Sequence, residues 1–362
     1  MVSTESAKRV PLAGERPDRY RVSVEEYVRF RTEGFLAVRG LVSQDEVAEL
    51  RGHTDDLMAG NLPEQQLAWV SPHGHKLDAP PAGATAEQRA AHFLRIHMLH
   101  RLLAFHERYM LHPRVIDVVS ALTGPDVLAM QTMLFIKAPG GAGQGWHQDT
   151  FYIPTSPDTL IGAWIAIDDC DEYNGAMWFA RGSQVEPVYP PDQGYGSGDV
   201  ILKDINRVKG TSNEVDAEND LSRVADKYPQ VLVKAKAGDV VFFGGHVLHR
   251  SKKNITTDRF RRSFVSHYCN ARSFTQWGAG SPASDPHASP TVDPVTGMTN
   301  GSHILARGDT HLPFAKPPFG TPCAASLTPE QRKAESDLAM TMMADKSGDM
   351  MPVPANPNQV DE

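Results

Sequence analysis

Leu160-Ile161-Gly162-Ala163-Trp164-Ile165-Ala166-Ile167 is an almost unbroken apolar run of strand length, and the polar turn Asp168-Asp169-Cys170-Asp171-Glu172-Tyr173-Asn174-Gly175 follows it directly. Ala176 to Ala180 supplies another short strand, ended by Arg181-Gly182-Ser183. Apolar runs this short, bounded by Gly, Asn and Asp, read as buried strands. The rhythm continues outward. Upstream, Gly124-Pro125 stops a helical pattern and Val127 to Lys137 alternates, with Met130, Thr132, Leu134 and Ile136 on one side and Gln131 and Lys137 on the other. Downstream, strands are expected at Val231 to Val233, Asp239 to Phe243 and Arg261 to Tyr268. Short strands separated by turn signals suggest a sandwich or closed barrel. The expected class is mainly β with flanking helices, its core a double-stranded β-helix, the cupin-like jelly roll.

The flanks read differently. Residues 1–22 form a polar, flexible lead. Ser23-Val24-Glu25-Glu26 and Ser43-Gln44-Asp45-Glu46 both have the capping-box form, so helices are expected after each, with a strand at Gly34 to Gly40 between them. Residues 61–85 read as a loop holding His73-Gly74-His75, and Thr85 to Leu122 as helical, with His92, His97, His100, His106 and His112 along it. His92, His97 and His100 fall on adjoining helix faces with no acidic partner set among them, which favours helix surface or core hydrogen bonding over metal binding. The domain expected over residues 23–269 carries a polar insertion at about 184–230. Residues 281–362 hold 12 of the 27 prolines, so 270–362 is a loop-like extension. Its aromatic anchors Phe314 and Phe319 imply that part of it packs on the core, and Ser326 to Met343 reads as a last helix.

A net charge of −8 argues against a nucleic-acid surface, and no run of about 18 apolar residues is present to span a bilayer. Three scattered cysteines give neither a disulfide framework nor a thiolate metal cluster. The chain therefore reads as a cytoplasmic protein acting on a small molecule, and nothing in it fixes an oligomeric state.

Chemistry enters at Gly145-Trp146-His147-Gln148-Asp149-Thr150-Phe151-Tyr152. Side chains at i and i+2 of an extended strand share a face, so His147 and Asp149 converge on one metal ion. A third ligand is expected from Gly238-Asp239-Val240-Val241-Phe242-Phe243-Gly244-Gly245-His246-Val247-Leu248-His249-Arg250-Ser251, where His246 and His249 are the candidates. Two histidines and one carboxylate form the facial triad of non-haem Fe(II) oxygenases. Arg259, Arg261 and Arg262 then put cations on the next strand. Iron alone does not require them, whereas a carboxylate co-substrate does. Parity places Arg261, Ser263, Val265 and His267 on one face, so a guanidinium and a hydroxyl address the same anion. A hydrolase or isomerase using the same His, Asp and His around zinc is the competing reading, and it leaves Arg261 and Ser263 without a purpose.

The combination W-H-Q-D, N-G-x-(x)5-G-S, G-D-x-V-F-F and H-x-S-x-x-N followed by an arginine strand resembles the phytanoyl-CoA hydroxylase-like family of Fe(II)/2-oxoglutarate dioxygenases, over roughly Val24 to Tyr268. The resemblance implies that His147 and Asp149 bind iron and that His249, through His249-Arg250-Ser251-Lys252-Lys253-Asn254, is the third ligand in preference to His246. It further implies that Arg261 holds the distal carboxylate of 2-oxoglutarate; the spacing from histidine to arginine is one residue longer than the family pattern, which leaves Arg259 and Arg262 as rivals. Polar residues on the strand before the motif serve the co-substrate in this family, which points to Gln131. The implied cofactors are Fe(II), 2-oxoglutarate and O2. The implied reaction is hydroxylation of a C–H bond with release of succinate and CO2, and the family resemblance gives Asp149 a second meaning, since related halogenases lack that carboxylate. Trp146, Phe151 and Tyr152 are expected to shape the substrate pocket, with the tail from His311 to Phe319 closing it.

Overall fold

The computed structural model describes residues 18–62, 83–85, 88, 95–101, 103–189, 220–273, 275 and 303–310. The expected lead up to residue 17, the His73-Gly74-His75 loop, His92, the middle of the insertion, the anchors Phe314 and Phe319 and the last helix fall outside these residues.

Both capping boxes form. Ser23 caps α1 (Val24–Glu33) and Ser43 caps α2 (Gln44–Ala59), each hydroxyl accepting from the amide of Glu26 or Glu46 while that glutamate accepts from the serine amide. Gly34 and Gly60 end the two helices in the left-handed conformation. Between them β1 (Phe35–Val38) lies at the edge of the larger sheet. The stretch Thr85 to Leu122 is not one helix. It contains β2 (Arg95–His97), a 3-10 turn at Leu99–Arg101, α3 (Ala104–Met110) and α4 (Pro113–Thr123). Pro113 has no amide hydrogen and starts a helix readily, so it separates α3 from α4. Arg95-Ile96-His97 is drawn into strand by pairing with Met133–Phe135 of β3.

The strands β3 (Val127–Lys137), β4 (Gln144–His147), β5 (Ile161–Ala166), β6 (Met177–Ala180), β7 (Gln230–Val233), β8 (Val240–Gly244), β9 (His249–Ser251), β10 (Arg261–Asn270) and β11 (Ile304–Arg307) complete two antiparallel sheets. The larger has the order β1-β8-β5-β10-β3-β11, with β2 also on β3, and the smaller has the order β4-β9-β6-β7. These two sheets are the jelly roll. Of the 270–362 extension, Ile304–Arg307 adds to the outside of β3, a strand the sequence did not announce. A short helix, α5 (Asp220–Ala225), lies within the expected insertion.

Period-two alternation explains why the larger sheet reads as nearly continuous apolar sequence: it is covered on both faces. Ile161, Ala163, Ile165, Val240, Phe242, Phe264 and Tyr268 join a core with Val47, Leu50, Val115, Ile116 and Val119 of the helices. Their neighbours Trp164, Val241, Phe243 and Val265 point the other way and meet Met177, Phe179 and Val233 of the smaller sheet. Each such large side chain contributes about 1.5–3 kcal/mol by leaving water. The helices therefore brace one face, and the space between the sheets is left for a site. Among the described residues no helix is long and apolar enough to cross a membrane.

Candidate metal centre

His147 ends β4 and His249 begins β9, and the two are register partners across the smaller sheet, with ring centroids 4.0 Å apart. Asp149 does not share their strand. The strand stops at His147, Gln148 stays extended (φ −122°, ψ 129°), and Asp149 opens a 3-10 turn over Asp149–Phe151, so the i, i+2 relation survives beyond the strand end. Gln148 fixes that turn: its amide nitrogen donates to the carbonyls of Pro187 (3.0 Å) and His246 (2.9 Å), and its oxygen accepts from Tyr189 N (3.0 Å). The Thr150 amide donates to Gly245 O at 3.0 Å, and a Cβ on Gly245 would stand 2.1 Å from Thr150 Oγ1. Only glycine allows that approach.

The ligating atoms of His147, Asp149 and His249 all lie within 4.8 Å of one another, and all three residues are buried. Asp149 Oδ1 is 3.6 Å from His147 Nε2 and 3.7 Å from His249 Nε2. Each imidazole has its Nδ1 against a carbonyl, Gly145 O at 2.9 Å and Val247 O at 3.1 Å, which assigns the proton to Nδ1 and the lone pair to Nε2. Gln144 Nε2, 3.2 Å from His147 Nε2, agrees with that tautomer. Burial, reinforced by the neighbouring His249, pushes His147 down to about 3, and burial lowers His249 as well, so both rings are neutral. Burial alone would raise Asp149, but the opposing effects of His249 and a hydrogen bond from His267 hold it below the ordinary carboxylate range. Two neutral imidazoles and one carboxylate suit a divalent iron-type ion.

His267 is the residue parity grouped with Arg261 without giving it a task. Its Nε2 is 2.8 Å from Asp149 Oδ2, and its Nδ1 is 3.0 Å from the Gln131 amide nitrogen. One carboxylate oxygen is thus occupied, leaving Oδ1 toward the histidines. Gln131 lines the cleft with its Oε1 buried and, among the described residues, without a hydrogen-bond partner. Lys137, of the same parity, instead ties β3 to β9 by donating to Ser251 Oγ (2.9 Å) and Lys252 O (2.7 Å).

The three arginines separate sharply. Arg259 pairs with Asp171 at 2.7 Å, and Arg262 pairs with Asp168 at 2.8 Å and Asp55 at 2.6 Å. Arg261 is 3% exposed and lines the cleft, where its Nη1 donates to Ser263 Oγ (3.0 Å) and its Nε has no partner among the described residues. The rings of Trp164 and Phe135 each stand 5.9 Å from its guanidinium carbon. His246 takes no part in the triad; it pairs with Asp158 and contacts Glu186 O through Nδ1 at 2.8 Å.

The remaining motif residues tie the surrounding loops together. Asn174 donates to Asp169 O (2.7 Å) and Phe260 O (3.2 Å), Ser183 Oγ accepts from Leu248 N (2.8 Å), and Asn254 donates to Arg259 O (2.7 Å) and Lys137 O (3.3 Å). The cleft itself, open to solvent, carries the triad, Arg261, Trp164 and Tyr152 on its walls. Trp146 is not there: its ring is buried with Ala180, Tyr189, Leu221 and Leu248, under the Arg250 guanidinium at 4.7 Å. Phe151 is not among the lining residues either. Sequence reading overlooked Arg95 and Gln144, which do line it. The only early signal for Arg95 was its alternation with His97 around buried Ile96.

Residues 30–263 match the family profile described as Phytanoyl-CoA dioxygenase (PhyH). The rat peroxisomal phytanoyl-CoA dioxygenase is 27% identical over 257 residues, 68% of each chain. The zebrafish phytanoyl-CoA dioxygenase domain-containing protein 1 is 24% identical over 283 residues, 70% of this chain and 91% of that one. Among solved structures, the epimerase SnoN in complex with Fe3+, alpha ketoglutarate and nogalamycin RO superimposes with a TM-score of 0.52 at 22% identity, over 78% of this chain and 98% of SnoN. The non-heme monooxygenase ThoJ gives 0.51 at 22% identity, over 89% and 96% of the two chains. At such identities these two structures speak to the fold.

Proposed function

The chain belongs to the phytanoyl-CoA dioxygenase family and is a 2-oxoglutarate-dependent non-haem iron oxygenase, and on that premise we propose that it hydroxylates a C–H bond of a small molecule, with release of succinate and CO2. His147, Asp149 and His249 hold Fe(II), and Arg261 with Ser263 holds the distal carboxylate of 2-oxoglutarate. The observation that carries this reading is Arg261, a buried guanidinium that faces the triad's cleft with no carboxylate against it among the described residues. A cation taken out of water without a counter-ion is costly, and an oxo-acid supplies the missing charge. When bound, iron and the oxo-acid supply the two-electron activation of O2 that protein side chains lack.

The chain's own residues supply position. His267 orients Asp149, the Nδ1 contacts fix both imidazoles, and Met133, Phe135, Val265 and Phe243 give the cleft apolar walls that limit water. Gln131, held by His267, presents its free oxygen on the same side. Anaerobic addition of Fe(II) and 2-oxoglutarate should give a weak visible charge-transfer band, with succinate appearing on aeration. No band and no succinate, together with tight zinc binding and a hydrolytic activity, would overturn the oxygenase reading in favour of the zinc hydrolase.

A further inference from the structure

Among the described residues, three guanidinium groups line the cleft, from Arg95, Arg250 and Arg261, against a single acidic side chain, Asp149. Fe(II) with Asp149 leaves one positive charge, Arg261 adds a second, and the two carboxylates of 2-oxoglutarate neutralise both. Arg250 is engaged elsewhere, stacked 4.7 Å from Trp146 and 6.0 Å from Trp178 and donating to Gln230 Oε1 at 3.3 Å. Arg95 is left over. Arg95 is exposed at one side of the cleft it lines, and no carboxylate, carbonyl or hydroxyl of the described residues hydrogen-bonds to it. A guanidinium at the solvent side of a largely apolar wall, in the same cleft as the metal ligands and with no carboxylate of the described residues bonded to it, is placed to meet the anionic group of an entering ligand.

Its place in the sheet separates it from Arg261. Arg95 is the register partner of Phe135, and Phe135 on its other side is the partner of Ser263, so the three lie in one row with Phe135 between. Two strand spacings amount to about 10 Å. One end of the row, at Ser263, therefore belongs to the co-substrate's side, and the other ends at the exposed Arg95, in a cleft that Tyr152 and Ile153 also line. Resting on the oxygenase reading above, we infer that Arg95 is a specificity-determining residue that binds a carboxylate of the organic substrate, whose apolar body lies against Met133, Phe135 and Ile153 and brings its C–H bond toward the triad. A single guanidinium matches one carboxylate in charge and in its two-pronged geometry, whereas a phosphate monoester carries more charge than Arg95 balances.

The test is calorimetric titration of the full chain loaded with Co(II), an ion that leaves O2 unreacted, and 2-oxoglutarate. Octanoate and phenylacetate are the probes, each against its primary amide. The carboxylates should bind at least about tenfold more tightly than the amides, the scale of one charge-assisted contact. Arg95→Gln should erase that preference and Arg95→Lys should restore part of it. Equal binding of acid and amide, no binding of either, or a preference that survives Arg95→Gln overturns the assignment. If Arg95→Gln instead weakens 2-oxoglutarate tenfold and leaves the preference intact, Arg95 serves the co-substrate and the assignment is likewise overturned. Failure of the unaltered chain to bind Co(II) and 2-oxoglutarate sinks the oxygenase reading itself, so the two failures are separable.

Discussion

Replacing Arg261 by Met keeps most of its volume and removes every hydrogen-bond donor. In the folded protein the guanidinium is 3% exposed, spends one nitrogen on Ser263 Oγ at 3.0 Å and has no acidic partner among the described residues. Removing one partner of a buried, hydrogen-bonded charge pair costs about 2–5 kcal/mol of binding. At about 1.4 kcal/mol per factor of ten, 2-oxoglutarate affinity should fall by about 30-fold to several thousand-fold. Lys at this position keeps the charge and loses the two-pronged geometry, so it should recover only part of the loss. Folding stability should move the other way. A buried cation with no acidic partner among the described residues is exchanged for an apolar side chain beside Trp164 and Phe135, which removes a desolvation cost. Calorimetric titration of 2-oxoglutarate into the Co(II)-loaded protein measures the first effect, and a thermal melt of the same sample the second. A Met variant that keeps its affinity within threefold, or an Arg262→Gln variant that loses as much, would refute the reasoning; so would a Met variant that melts well below the parent, because the affinity loss would then report unfolding.

Changing His249 to Ala should weaken Co(II) binding by more than about 100-fold, since losing a mere supporting partner of a ligand already costs about 10–100-fold. The same change at His246, which pairs with Asp158, should leave Co(II) affinity intact. His267→Phe should lower metal affinity by about 10–100-fold and alter the Co(II) d–d absorption, because Asp149 Oδ2 loses its 2.8 Å donor; an unchanged spectrum would remove His267 from the site. Burial raises Glu46, but hydrogen bonds from His112 and from the Ser43 amide outweigh it and bring its carboxyl down from 4.5 to about 2. The stability it contributes is therefore complete above about pH 4.5 and lost as pH falls toward 2; Glu46→Gln should cost about 1–2 kcal/mol at neutral pH, reduced by partial exposure, and flatten the acid limb of an unfolding titration.

How much of this was legible beforehand follows from where each signal resides. Elements whose determinants are local were readable: two serine caps, the alternation of Val127 to Lys137, and the apolar run of β5 bounded by turn residues all specify themselves within a few positions. Elements made by tertiary pairing were not. Arg95-Ile96-His97 and Ile304–Arg307 are strands because β3 offers them its free edge, and a three- or four-residue segment has too little pattern of its own to say so. The site divides along the same line. Parity put Arg261 and His267 on one face, and the partners that occupy Arg259 and Arg262 could be seen only once Asp171, Asp168 and Asp55 were brought alongside from other elements. Trp146 shows the converse, since adjacency to a ligand in sequence sends its ring to the opposite face of β4 and away from the cleft. Period two thus identifies which residues share a face, while charge accounting across the folded site identifies which of them is left without a partner. That second step is what separates Arg261 from its two neighbours and what brings Arg95, absent from any motif, into the substrate's reach.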